Sequence, residues 1–444
     1  MARAYPKDLA ALAAARWAEV APAPVGEPGS CTARRLGAAP DLGALEELLD
    51  ACYQAGLMRE EERPVAFRLV LAGPEAFPQD GGPPSGFHRL AFPRAVPLNE
   101  DVLRRLSPAA DYHRSLIGAK ETEGGGLEVW GLVHSGPGWV RATQGGRGQS
   151  APLPPAPLVH VTGPGRVAVH RGDTEVAELR GGALSSGPGA DVFASRWLPE
   201  SFAPVRAELV ELHEEARRRA AAAGEPWAPL DPDLIRLVGQ HTVRRVIAVM
   251  RAARHGGTLA FAPPELADKL SSENPYVSFR HPFAEGEPRR RFRTLIVGVT
   301  NRLAQAHGKG AEDSYPRAVG WEEYEGSRDE GITALDEAVF EVAHLVAGLS
   351  AVDGAVVMTK RFEILGFGAE ISGALPPART VARALDPEGE RVEWESTDGV
   401  GTRHRSAYRL CGALPGAVAV VVSQDGGVRF VTLKDGAVTY WDHA

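Results

Sequence analysis

A helical pattern over residues 333–350 hands over to two β patterns in the next twenty residues, and that hand-over places helix and sheet side by side in this part of the chain. Residues 333–350, TALDEAVFEVAHLVAGLS, set Leu335, Val339, Val342, Leu345 or Val346, and Leu349 on one helical stripe, with Thr333 as the expected N-cap and Asp336 three residues on. Two apolar runs follow, Ala355 to Thr359 and Phe362 to Phe367, read as strands joined by a tight turn at Lys360-Arg361. GTRHRSAYRL, the run Ala417 to Ser423 (AVAVVVS) and VRFVTL follow. Asp353 therefore stands where a helix hands over to a strand.

Two motifs in this segment carry chemistry. In Gly401-Thr402-Arg403-His404-Arg405-Ser406-Ala407, the guanidinium forks of Arg403 and Arg405 can grip phosphate oxygens in pairs. His404 can donate to phosphate or ligate a divalent metal, and Thr402 and Ser406 add hydroxyls. A lone basic tripeptide would equally suit a solvated face. In Asp353-Gly354-Ala355, a carboxylate precedes two small residues that let a ligand approach the backbone. Asp-Gly is also a common turn dipeptide and recurs at Asp398-Gly399, Asp425-Gly426 and Asp435-Gly436, so this motif alone marks only a turn.

Order and surroundings make the pair specific. A helix running into a strand that opens with DGA, a strand pair, GTRHR at the start of the next helix, and a β-branched strand ending in VS resemble the diadenylate cyclase domain, which joins two ATP molecules into cyclic di-AMP. The resemblance extends over residues 230–444, because LDPDLIRLVGQHTVRRVIAVMRAARH and GGTLAFAP are similar to the opening helix and first strand of that domain. It implies that Asp353 orients or deprotonates a ribose 3′-hydroxyl and that Asp353 and His404 hold Mg2+ or Mn2+. It also implies that Gly354, Ala355, Ile371, Thr402, Arg403, His404, Arg405 and Ser406 contact ATP, and that catalysis takes place in a head-to-head homodimer. One position departs from the pattern. Many members carry an acidic pair after the VS, whereas this chain has Ser423-Gln424-Asp425, leaving Asp425 as the available carboxylate.

The fold expected from these readings is α/β: a C-terminal diadenylate cyclase fold with a mixed sheet flanked by helices, preceded by an α+β, β-rich N-terminal sensor region. Residues 1–125 form the first part of that region and 126–200 a β-rich module, in which LEVWGLVHSG, GWVRATQGG, PLVHVTG, GRVAVHRGD and TEVAELRGG recur about every ten residues. Residues 201–229 form a connecting helix, with Val205, Leu209, Leu212 and Ala216 at helical spacing, and a hinge in AAAGEPWAPLDP. The N-terminal part resembles the sensor region ahead of the cyclase domain in some bacterial diadenylate cyclases, which implies a ligand whose nature the residues do not show. His88, His113, His134, His160 and His170 lie scattered there without metal-ligand spacing.

Composition excludes several classes. The 444 residues are 44% hydrophobic and 24% charged, which suits a multi-domain globular chain, and apolar runs reach only about seven residues against the roughly 20 a bilayer helix needs. MARAYPKDLAALAAARW is charged and amphipathic and reads as an ordinary helix. Cys31, Cys52 and Cys411 show no disulfide or zinc spacing, so the cytoplasm, where ATP is available, is expected. A net charge of −8 argues against a nucleic-acid partner, and the basic run Arg289-Arg290-Arg291 with Arg293 reads as a solvated strand edge. Two functions remain: a sensor-regulated diadenylate cyclase, or a catalytically inactive nucleotide-binding or sensor scaffold that keeps the cyclase fold. Retention of Asp353, Arg403, His404 and Arg405 favours the enzyme.

Overall fold

The chain divides into two compact units, one of residues 1–143 and 148–189 and the other of residues 144–147 and 190–444, each with hydrophobic clusters of its own. The computed structural model describes residues 3–20, 38–78, 81–82, 86–134, 145–147, 153–186, 191–284, 286–308, 317–424 and 426–443. Cys31, Asp425, part of the Gly/Pro-rich stretch at 79–88 and most of GWVRATQGG lie outside them.

In the first unit, α1 (Pro6–Arg16), α2 (Leu42–Leu57), a hairpin of β1 (Arg59–Glu60) with β2 (Arg63–Pro64), β3 (Phe67–Leu71), β4 (His88–Pro97), α3 (Glu100–Leu106), β5 (Ser115–Glu121), β6 (Leu127–His134), β7 (Pro157–Gly163), β8 (Arg166–Arg171), β9 (Thr174–Arg180) and β10 (Ala183–Ser186) follow in turn. Eight of these strands form one sheet in the order β10-β9-β8-β7-β3-β5-β6-β4, antiparallel except for β3 with β5. Leu45, Leu48, Leu49 and Cys52 of α2 meet Phe67, Leu69, Val159 and Val161 on one face, and Val70, Leu116, Trp130 and Leu158 close a smaller core on the other. The boundary expected at 125/126 falls within the β5–β6 hairpin, and pairing of β3 with β7 makes the two expected parts a single sheet. Pairing in that sheet also gathers two of the scattered histidines. The rings of His160 and His170 stack at 3.8 Å. Burial holds His160 well below its ordinary pKa and takes His170 down to about 3.

The second unit continues with α4 (Trp197–Ser201), α5 (Ala203–Ala222), α6 (Asp233–Ala253), β11 (Gly257–Ala262), α7 (Ala267–Ser271), β12 (Val277–Pro282), α8 (Gly286–Gly308), α9 (Trp321–Gly326), α10 (Glu330–Leu349), β13 (Ala355–Thr359), β14 (Ile364–Ile371), β15 (Thr380–Ala384), β16 (Val392–Ser396), α11 (Thr402–Ala413), β17 (Val418–Val422), β18 (Val428–Lys434) and β19 (Ala437–His443). Its nine-stranded sheet runs β12-β14-β13-β11-β17-β18-β19-β15-β16. The pairs β11/β13 and β15/β19 are parallel and the others antiparallel, so the sheet is mixed and flanked by helices as expected. Val246 and Met250 of α6 and Ala343 and Val346 of α10 cover one face, and Ala407, Leu410 and Cys411 of α11 the other. With both faces covered, β11, β13 and β17 are buried at every position, which accounts for their unbroken apolar runs.

Several local expectations change. The α10 helix begins four residues earlier than read: Asp329, not Thr333, is the N-cap, its side chain accepting from the Ile332 N–H at 3.0 Å. Thr333 lies one turn inside, its hydroxyl donating to the Asp329 carbonyl. The buried stripe is consequently Ile332, Asp336, Val339, Ala343 and Val346, while Leu345 is exposed. Asp336 belongs to that core because Arg245 and the Tyr324 hydroxyl both reach its carboxylate, at 3.3 and 3.0 Å. The run Arg289 to Arg293 is helical, not a strand edge, since Phe292, Leu295, Ile296, Val299 and Leu303 bury one face of α8. The expected connecting helix packs within this unit. Val205 and Leu209 join its core, and Arg361 and Glu208 pair at 2.5 Å. The expected hinge is held too, with Ala228 donating to the Ala304 carbonyl at 3.0 Å and Leu230 bridging to Val319.

Candidate active site

Register on the central strand assembles the site. Thr258 of β11 lies opposite Ala355 of β13 on one side and Val421 of β17 on the other. Because β13 runs parallel to β11 and β17 runs against it, the residues before β13, before β11 and after β17 meet at one end of the sheet. Those residues are Asp353-Gly354, Gly256 and Ser423-Gln424. The first turn of α11 lies over this end, and together they border a cleft of about 920 Å3.

Gly354 has a geometric reason to be glycine. Its φ is +116°, and a β-carbon there would stand 2.5 Å from the Gly368 carbonyl carbon and 2.8 Å from the Ala369 nitrogen. The space is therefore taken by the backbone of β14, and Asp353 is left exposed at the cleft edge. Gly256 repeats the device with φ +68°.

The helix α11 brings polar groups from the other side. Its N-cap is Gly401, which supplies no side-chain cap, and the helix N-terminus at the cleft is suited to an anion. Thr402, Arg403, His404 and Ser406 all line the cleft, as do Asp353, Gly354, Ala355 and Ile371. Arg405 is the exception. At 100° per residue it lies about 200° around the helix from Arg403, and it is exposed away from the cleft. One turn on, Arg409 shares the face of Thr402 and Ser406 and lines the cleft in its place. Arg280 of β12 also lines it, its Cβ 3.4 Å from where a β-carbon on Gly368 would be. The i, i+4, i+7 spacing of Thr402, Ser406 and Arg409 offered a signal for Arg409. Nothing local pointed to Arg280 or Thr258, which arrive through strand pairing.

Behind α11 the helix is tied to the sheet. The Tyr408 hydroxyl accepts from Arg429 at 3.2 Å, Arg429 donates to Asp442 at 2.9 Å, and the Tyr440 hydroxyl donates to Glu395 at 2.6 Å. Burial works against the Arg429 charge, but Asp442 and the two tyrosines hold its pKa above the ordinary value. Among the described residues no three His, Cys, Asp or Glu side chains are grouped as metal ligands. Asp353 and His404 nevertheless border the same cleft, and a Mg2+-type ion commonly takes one or two carboxylates and completes its shell with phosphate and water oxygens. Asp353 fits that mode, with His404 on the same cleft as an imidazole. Gln424 lines the cleft as well, a neutral amide where the resemblance has a carboxylate.

Comparison with known proteins bears on the N-terminal unit. A family described as "Probable sensor domain DACNV" matches residues 34–134. The matched residues fall within the region expected to hold a sensor. No curated protein and no solved structure matches the chain. Among the described residues no helix is long and apolar enough to cross a membrane.

Proposed function

We propose that residues 230–444 condense two ATP molecules into cyclic di-AMP and pyrophosphate, and that the N-terminal sensor region regulates this reaction. The observation that carries the reading is the convergence of Asp353 with Arg403, His404 and Arg409 on one cleft, from segments some fifty residues apart in sequence. An exposed carboxylate facing basic side chains and an uncapped helix N-terminus suits a hydroxyl nucleophile and a polyphosphate electrophile.

In the proposed reaction Asp353 accepts the proton of a ribose 3′-hydroxyl as its oxygen attacks the α-phosphorus of the second ATP. A P–O bond forms, and the bond to the departing pyrophosphate breaks. Arg403, Arg409 and the first-turn N–H groups of α11 hold phosphate oxygens, while Thr402 and Ser406 orient them. A Mg2+ or Mn2+ ion at Asp353 and His404 would neutralise phosphate charge when bound. The second phosphodiester repeats the attack in the opposite sense. A single cleft presenting one hydroxyl cannot form both bonds, so two copies facing each other are required.

Incubation of the full chain with ATP and Mg2+ or Mn2+, with products separated by chromatography, tests the proposal. Cyclic di-AMP and pyrophosphate are expected from the wild type, and Asp353→Asn, which alters an exposed side chain, should lose activity by orders of magnitude while melting as the wild type does. ATP binding without turnover would leave the scaffold reading, which the neutral Gln424 in the cleft favours.

A further inference from the structure

We propose a second ligand site in the unit of residues 190–444, on the face of the sheet opposite the cleft, built for a small apolar molecule bearing one carboxylate. A cavity of about 70 Å3 lies there, bordered by α5, α6 and the strands β11, β17 and β18. One buried water needs about 10–15 Å3 on this measure, so the space suits an aromatic ring or short acyl chain. Its walls include Phe202, Phe261, Phe362, Val418, Val420 and Phe430. Phe261 and Val420 point away from Thr258 and Val421, their counterparts lining the cleft, so the two sites do not overlap.

Two local costs maintain this space. Phe362 has φ +59°, a left-handed conformation unfavourable for a bulky aromatic residue, and its ring lies 4.7 Å from Phe292 and 5.7 Å from Phe261. Gly239 sits inside α6, where glycine is less favourable than alanine. A β-carbon there would approach only the Phe362 ring edge, at 4.0 Å, so steric exclusion does not require glycine.

The polar groups choose the head group. Arg206, Arg236 and Lys360 line the cavity and no acidic residue does. Arg236 pairs with the nearby Asp233, but Lys360, 8% exposed, donates to the Ser201 carbonyl at 2.8 Å, and Arg206 donates to the Pro199 carbonyl. Both cations hydrogen-bond to neutral acceptors, Glu265 acting on Lys360 and Asp233 on Arg206 only through space, so a carboxylate reaching them would add a direct ionic partner. Burial lowers Lys360 to about 8, which a bound anion would reverse.

Benzoate, with benzamide as its uncharged counterpart, probes the site by calorimetry on the full chain at millimolar concentrations. Saturable binding of one benzoate per chain is expected, undisturbed by ATP, with benzamide about tenfold or more weaker. Lys360→Met should remove that preference. Gly239→Leu should abolish binding without lowering the melting temperature, and Gly239→Ala, a milder filling, should weaken it. Absence of saturable binding, unchanged binding in both Gly239 variants, or competition by ATP would each overturn the proposal. Equal affinity for benzoate and benzamide in the wild type would overturn the assignment of a carboxylate.

Discussion

Nη1 of Arg403 lies against Gly256: a β-carbon added to that glycine would stand 3.0 Å from it, and 2.9 Å from the Val422 carbonyl oxygen. Arg403 thus reaches from α11 to the entrance of β11, and the position tolerates no side chain. Gly256→Ala must also accept φ +68°. It should cost about 1 kcal/mol or more in denaturant unfolding, and it should weaken ATP binding by displacing the guanidinium. Full stability with full ATP affinity would show that the contact is loose.

Arg405 and Arg409 separate under mutation. Arg409→Ala removes a cleft-lining cation and should weaken ATP binding by about 1.5–3 kcal/mol, tenfold or more in Kd. Arg405→Ala, on the exposed side of α11, should change ATP affinity much less in the isolated chain. Calorimetry with ATP and Mg2+ reads both, and the reverse ranking would show that α11 is rotated from the orientation described.

Assembly can be read from mixed subunits. If each phosphodiester needs two facing clefts, wild type mixed with excess Asp353→Asn should lose activity more steeply than dilution predicts, and a linear diadenylate intermediate should accumulate. Strictly proportional loss, with subunit exchange confirmed by labelled chains, would show that one chain completes the ring.

Acid should destabilise the unit of residues 144–147 and 190–444 through His241. Its Nδ1 accepts from the Gly146 N–H at 3.1 Å and its ring stacks on Trp321 at 4.2 Å. Burial, followed by Arg244 and Arg245, lowers its pKa to about 4, below the roughly 6.5 of an unfolded histidine. The unfolded chain therefore binds more protons between these values. The histidine's contribution is present above pH 6.5 and is lost as pH falls toward 4. The urea midpoint should drop across that window, and His241→Gln, followed in parallel, should show a shallower dependence.

The strands Ala355–Thr359 and Val418–Val422 are legible in sequence because each is an apolar, β-branched run, and the helix Thr402–Ala413 is legible through the resemblance that its opening GTRHR carries. The α10 N-cap was misplaced from Asp329 to Thr333 because both residues offer a capping oxygen, and only the Ile332 hydrogen bond distinguishes them. Arg289 to Arg293 reads as a solvated edge by its charge, whereas the apolar residues from Phe292 to Leu303 at helical spacing make it part of α8. The division at residue 125 failed for another reason: pairing of β3 with β7 joins residues about ninety positions apart, and no local signal reports it.

By itself the sequence determined the chemistry available at two points, a carboxylate before β13 and a basic, hydroxyl-bearing turn at the start of α11, because residue types and local periods are properties of short segments. Tertiary structure decided which of those groups share a cleft. Strand order placed Thr258 between Ala355 and Val421, helix rotation turned Arg409 inward and Arg405 outward, and an edge strand brought in Arg280. Each of these depends on pairing and burial between distant segments, whose energies exist only once the chain has closed around its core.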